Sequence, residues 1–251
     1  TSRLMQVDDD AYDGIGAGMR AERQRRNLSI ADVAATLRIQ QTYLVALEEG
    51  WTDDLPGPTY AIGFLRTYSE FLGLDDQGPG MLPPAQLVQR LDRVLNAAQR
   101  YLRQLPDDLM TAELPGRARS YRDLTYHIFQ IARAFLGVAS GEELTYQKLG
   151  EQPGDDLVTF ADIADDGDAT RRDILAWWAE QGADRDFDAT VATYYGPQSL
   201  HETLERTTWH TAQHVRQMLM ILDGLDIVPD GGAIGERELA GLPLPKEVWD
   251  G

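Results

Sequence analysis

Residues 207–218 read TTWHTAQHVRQM, and the spacing inside this stretch decides how the second half of the chain folds. His210 and His214 stand four apart, so on a helix they differ by about 40° and project from one face. Thr207, Thr211, Met218 and Ile221 share that face, making it the inward stripe of a helix predicted over residues 199–222. Working outward, apolar residues at 3–4 spacing predict three more helices. One covers residues 85–105, with Leu87, Leu91, Val94, Leu95, Ala98, Tyr101 and Leu102 inward. A second covers 120–136, with Leu124, Ile128, Ile131 and Phe135 inward, and a third covers 169–181 and carries Trp177-Trp178. Residues 183–199 allow a short hairpin or a plain loop, and Trp249 in the tail is placed against the bundle.

The second of these helices adds a third histidine. His127, in LTYHIFQIA, lies on the inward stripe beside Leu124 and Ile131. Three imidazoles converging between facing helices fill three corners of a tetrahedron and leave the fourth for water or substrate. His201 is nine residues before His210, about 180° round the helix, and is left out. Cysteine is absent, so any metal must be held by nitrogen and oxygen, and any thiol must come from outside the chain. Asp123, one turn before His127, and Gln213 and Gln217 near the pair are the candidates for orienting the imidazoles. Tyr126, Tyr195 and Trp209 are candidates for the mouth.

Length and charge set the frame. The 251 residues suggest two domains. Hydrophobic residues make up 43% and charged residues 25%, as in an ordinary globular protein. No apolar run reaches the roughly 18 residues of a membrane span, and the start does not resemble a signal peptide, so a soluble cytoplasmic protein with no membrane partner is expected. Net charge is −18, from 23 basic and 41 acidic residues. Residues 1–76 hold 7 arginines, no lysine and 13 carboxylates, a net of −6. Phosphate backbones are normally met by the opposite bias, so bulk electrostatics does not drive DNA binding here.

The first module nevertheless has the spacing of a repressor-type helix-turn-helix. Short helices are expected over residues 15–26, from a Ser29 cap through Leu37, over 40–49 up to Gly50, and from Pro58 through Leu72. Ala34 lets the two central helices approach. Gln40, Gln41, Thr42 and Tyr43 would face a major groove. Arg38 in the turn, with Arg20, Arg23, Arg25 and Arg26, could meet phosphates. Asp75–Pro84 (DDQGPGMLPP) is a Gly/Pro-rich break.

Two family resemblances extend this reading. Thr36–Asp75, with LPG-x-x-Y-x-x-G-F-x-R-x-Y over Leu55–Tyr68, closely resembles the cytoplasmic helix-turn-helix of RodZ-type proteins. That resemblance implies a protein-docking use, through aromatics at the positions of Phe64 and Tyr68, alongside the DNA-binding fold. RodZ continues into a basic segment and a membrane helix, whereas this chain continues into the histidine-bearing bundle. H-x-x-x-H-x-x-Q (His210, His214, Gln217), 83 residues after His127, resembles the DinB/YfiT-like superfamily. FDATVATYYGPQSLHETLERTTWHTAQHVRQ and the GLPLPKEVWD tail resemble its branch fused to glutaredoxins. This second resemblance implies a four-helix bundle, often dimeric, holding Zn or Ni on three histidines. Its members act with low-molecular-weight thiols or are known only as metal-dependent hydrolases.

The resulting expectation is an all-α chain: a helix-turn-helix domain over 13–76, a linker over 77–84 and a DinB-like four-helix bundle with a tail over 85–251. Its function is expected to be that of a metal-dependent enzyme, a thiol-dependent transferase or a hydrolase. Its small-molecule electrophile or thiol would bind at the bundle, and residues 13–76 would dock a protein or DNA. The alternatives are a transcriptional regulator whose bundle senses a metal or small thiol, and a non-catalytic interaction module.

Overall fold

The computed structural model describes residues 9–49, 51, 55, 58–74, 81–114, 119–244 and 248–249. The expected stop at Gly50, most of the Trp51–Gly57 loop, linker residues 77–80 and tail residues 245–247 lie outside the described residues, as does the side chain of Tyr60. The chain is all-α, in two compact units, 1–80 and 81–251.

In the first unit, helices α1 (Asp9–Arg25), α2 (Ile30–Leu37), α3 (Gln41–Glu49) and α4 (Pro58–Phe71) follow the order expected. Asn27 and Arg38 adopt the left-handed conformation that ends α1 and α2. Ser29 Oγ accepts from the Asp32 amide and caps α2. The close approach in this unit occurs at Gly16. A Cβ there would stand 2.4 Å from the Leu47 carbonyl oxygen, so α1 meets α3 backbone to backbone. Ala34, expected to let α2 and α3 approach closely, is half-buried.

Apolar residues Met19, Val33, Leu44, Leu47, Leu65 and Leu72 form this unit's core, and one charge sits among them. Glu48 is 6% exposed. Arg23 of α1 grips it with Nε at 2.6 Å and Nη2 at 2.8 Å, and Tyr68 of α4 donates its hydroxyl to the same carboxylate. Desolvation alone would raise the Glu48 carboxyl, but these bonds outweigh it and hold it below the usual range.

This network corrects one expectation. Tyr68 is fully buried and spent on Glu48, so it is a core residue and not a docking residue. The α1 arginines are also committed: Arg20 pairs with Glu48 and Glu49, and Arg25 and Arg26 pair with Glu22. Arg26 further donates to the Phe71 and Leu72 carbonyls. Arg20, Arg23 and Arg26 thereby tie α1 to α3 and α4, while the Arg25–Glu22 pair stays within α1. Exposed Arg38, Gln40, Gln41 and Thr42 remain, with half-buried Tyr43 stacked on Phe64 at 5.6 Å.

The second unit is built on α5 (Pro84–Leu102), α6 (Tyr121–Ala139), α8 (Phe160–Glu180) and α9 (Leu200–Gly224), with a short α7 (Tyr146–Leu149) and α10 (Glu236–Leu239). α5 and α6 each pack against both α8 and α9, so the bundle places α6 beside α9. The residues expected inward on α5 and α6 are buried. α8 begins nine residues before its predicted start. Thr159 and Asp162 form a reciprocal capping box, and Gly167 lies inside the helix because the Phe129 ring fills the space of a Cβ, at 2.5 Å. The stretch after α8 contains a two-residue antiparallel pair, β1 (Thr190–Val191) with β2 (Gln198–Ser199). Ser199 then opens α9 with a second capping box.

Tyr68→Phe removes one donor from a buried carboxylate and should cost about 1–3 kcal/mol. Calorimetry should show a lower melting temperature for the first unit; an unchanged melt would show that the Tyr68 hydroxyl is dispensable.

Candidate metal centre

α6 carries His127 and α9 carries His210 and His214, one turn apart. Their adjacency brings one ring nitrogen from each to within 4.8 Å of the others. The ring centroids of His127 stand 5.5 Å from His210 and 5.1 Å from His214. His214 is buried, and the other two are half-buried. His201 is elsewhere, with its Nε2 2.8 Å from the Leu82 carbonyl oxygen and its ring against Phe187.

Two tautomers follow from the partners. His127 Nδ1 lies 2.9 Å from the carbonyl oxygen of Leu149, the last residue of α7. A carbonyl only accepts, so Nδ1 carries the hydrogen and Nε2 keeps its lone pair. His214 Nδ1 lies 2.8 Å from Gln217 Oε1, with the same consequence. The Gln217 amide is itself fixed, because its Nε2 donates to the Val248 carbonyl at 3.0 Å. The tail therefore reaches back to set an imidazole. Gln130 donates to the Lys148 carbonyl and to Glu151, holding the segment that presents Leu149.

His214 Nε2 faces His210 Nε2 at 3.1 Å. Two nitrogens each about 2.0–2.1 Å from one tetrahedral ion stand about 3.3 Å apart, so the pair is spaced for a shared cation. The donor set of three neutral imidazoles suits a first-row divalent cation. Desolvation is the main reason His127 is held down to about 3, with His214 and Arg119 adding to it and the Leu149 bond opposing. His210 is lowered as well, first by desolvation and then by His214, His127, Arg206 and Arg119.

Of the groups expected to orient the imidazoles, only Gln217 does so directly. Asp123 is engaged through its backbone: its amide donates to Ser120 Oγ and its carbonyl accepts from Arg119, one turn short of the ring. Gln213 holds the tail through Val248 and accepts from Arg216. The Leu149 and Val248 carbonyls do work that residue types could not reveal, because every residue has a carbonyl. Trp209 packs at 5.6 Å from His210, and Tyr195 lies under Arg206. Tyr126 accepts instead from Arg133.

Residues 90–218, just over half of the chain, match the profile of the DinB superfamily. This chain belongs to the DinB superfamily. The histidine cluster falls within the matched residues, and the superfamily is generally metal-associated. Residues 18–78 match a second profile, described as a helix-turn-helix domain, as its RodZ-type pattern led us to expect. A 48-residue stretch is 46% identical to the uncharacterized membrane protein YmfM of Bacillus subtilis (strain 168). The stretch covers 19% of this chain and 17% of that protein. No helix among the described residues of this DinB-superfamily chain is long and apolar enough to cross a membrane. No solved structure matches the chain.

The depressed His127 gives a pH signature to the metal-free protein. The unfolded chain takes up a proton at this position below about 6.5, while the folded chain does not until about 3. Stability from this group is complete above 6.5 and is lost as pH falls through that window. Melting temperatures of metal-free protein between pH 7 and 4 should fall more steeply than those of His127→Gln. Equal slopes would show that His127 is not held neutral.

Proposed function

We propose that the bundle is a metal-dependent enzyme in which His127, His210 and His214 hold a divalent Zn or Ni and a low-molecular-weight thiol or water reacts beside it. The observation that carries this reading is the pair of fixed tautomers, which present two imidazole lone pairs to one point where, among the described residues, the cluster holds only histidines. A bound divalent cation would supply Lewis acidity, lowering the pKa of water or a thiol toward neutrality. The chain's own part is to hold the ligands neutral and correctly turned. Leu149 and Gln217 accept the Nδ1 hydrogens, and the packed α6 and α9 keep the three rings convergent.

We favour thiol-dependent transfer over hydrolysis because the chain resembles the branch that travels with glutaredoxins and carries no thiol of its own. The helix-turn-helix domain is then a docking module for a protein partner. Its α1 arginines are tied to carboxylates and carbonyls, which removes the phosphate-facing row a DNA-binding regulator would use. The exposed surface left to it is Arg38, Gln40, Gln41 and Thr42, beside the Tyr43–Phe64 stack. Cytoplasmic location and homodimerisation belong to the same proposal.

Metal-loaded protein offered monochlorobimane with a panel of thiols should show thiol-dependent turnover. A chelator or His127→Ala should abolish it. Hydrolysis of esters or amides in water alone would favour the hydrolase form. Inert behaviour on every substrate, with metal still bound, would overturn the catalytic reading.

A further inference from the structure

Several arginines of this acidic chain end on carboxylates, among them Arg20, Arg23, Arg103, Arg133 and Arg171, and others on backbone carbonyls, among them Arg100, Arg122 and Arg185. Arg206 does not. It sits one turn before His210 on α9, where residues four apart share a face. Its guanidinium lies over the Tyr195 ring at 4.3 Å and reaches 5.9 Å from the Trp209 ring. Among the described residues it forms no ion pair, and its one hydrogen bond is a long 3.5 Å reach to the Tyr194 hydroxyl. Glu202, one turn earlier, is spent on the Ser199 amide in the α9 cap.

Two aromatic faces thus hold the cation in place without neutralising it. A guanidinium presents a planar fork of donors that matches a carboxylate. The surroundings strengthen the attraction. Three neutral imidazoles leave a divalent ion its full charge, and Arg119 acts on His127 and His210 along with Arg206 on His210. Trp209 lies between Arg206 and His210 in sequence and touches both.

We propose that Arg206 is the specificity-determining residue of the three-histidine site and reads a carboxylate on the molecule bound there. The inference rests on the metal-dependent reading above and gives it a substrate class: carboxylate-bearing thiols or electrophiles.

The test uses full-length protein loaded with Co(II), whose thiolate charge-transfer band reports binding directly. 3-Mercaptopropionate and 2-mercaptoethanol are titrated against wild type, Arg206→Lys and Arg206→Gln, with circular dichroism confirming that each variant is folded. Wild type should bind the carboxylate thiol about tenfold more tightly than the alcohol. That preference should collapse in Arg206→Gln and persist in part in Arg206→Lys. Any preference from direct chelation by the thiol's own carboxylate would survive in all three proteins.

The second arm alkylates bound 2-mercaptoethanol with chloroacetate or chloroacetamide, forming S–C as C–Cl breaks and chloride leaves. An Arg206-dependent KM for chloroacetate alone would assign the carboxylate to the electrophile and also support the proposal. Equal effects of Arg206→Gln on both members of both pairs would overturn it while leaving the metal reading intact. Failure to take up cobalt would sink the metal reading, and this inference with it.

Discussion

Three imidazoles can share one cation in a bundle interior only if all are neutral and their lone pairs converge on it, and the residues behind the rings of the second unit meet that constraint. A protonated ring would place a charge in a desolvated space beside two arginines. A neutral ring in the wrong tautomer would turn a hydrogen toward the centre. The chain answers with acceptors behind the rings. Leu149 ends α7 with a carbonyl free of helical bonding, and Gln130 pins the segment that presents it. Val248 fixes Gln217, which fixes His214. The short α7 and the C-terminal tail, which look like accessories to the bundle, are therefore parts of the site.

The first unit depends on a different buried charge. Glu48 joins α1, α3 and α4 through Arg23 and Tyr68, and a buried charge is tolerable only when partnered in this way. The consequence for function is subtraction. Tyr68 is consumed inside the domain and Arg20, Arg23, Arg25 and Arg26 are paired, while Arg38 and the outer face of α3 with the Tyr43–Phe64 stack remain.

Helical periodicity made the bundle readable. The apolar stripes of α5 and α6 and the i, i+4 histidines of α9 place the core and the three-histidine cluster before any coordinates are consulted. What could not be read has a common cause. Gly167 looks like a helix breaker in an acidic run, yet it is present because Phe129 occupies its missing side chain. Glu48 looks like a solvated helix end. Asp123 looks like a partner for His127, but the ring's Nδ1 faces the Leu149 carbonyl instead. The backbone carbonyls of Leu149 and Val248 carry no residue signature at all. Local pattern reports which face is inward; it does not report what meets that face from a distant part of the chain.

The central claim is that these three histidines form one metal centre. Elemental analysis of purified protein, beside the His210→Ala variant, tests it most directly. The account predicts about one Zn or Ni per wild-type chain and its loss in the variant. Wild-type protein that stays metal-free after Zn and Ni titration, or a His210→Ala variant that holds metal as tightly as wild type, would contradict it.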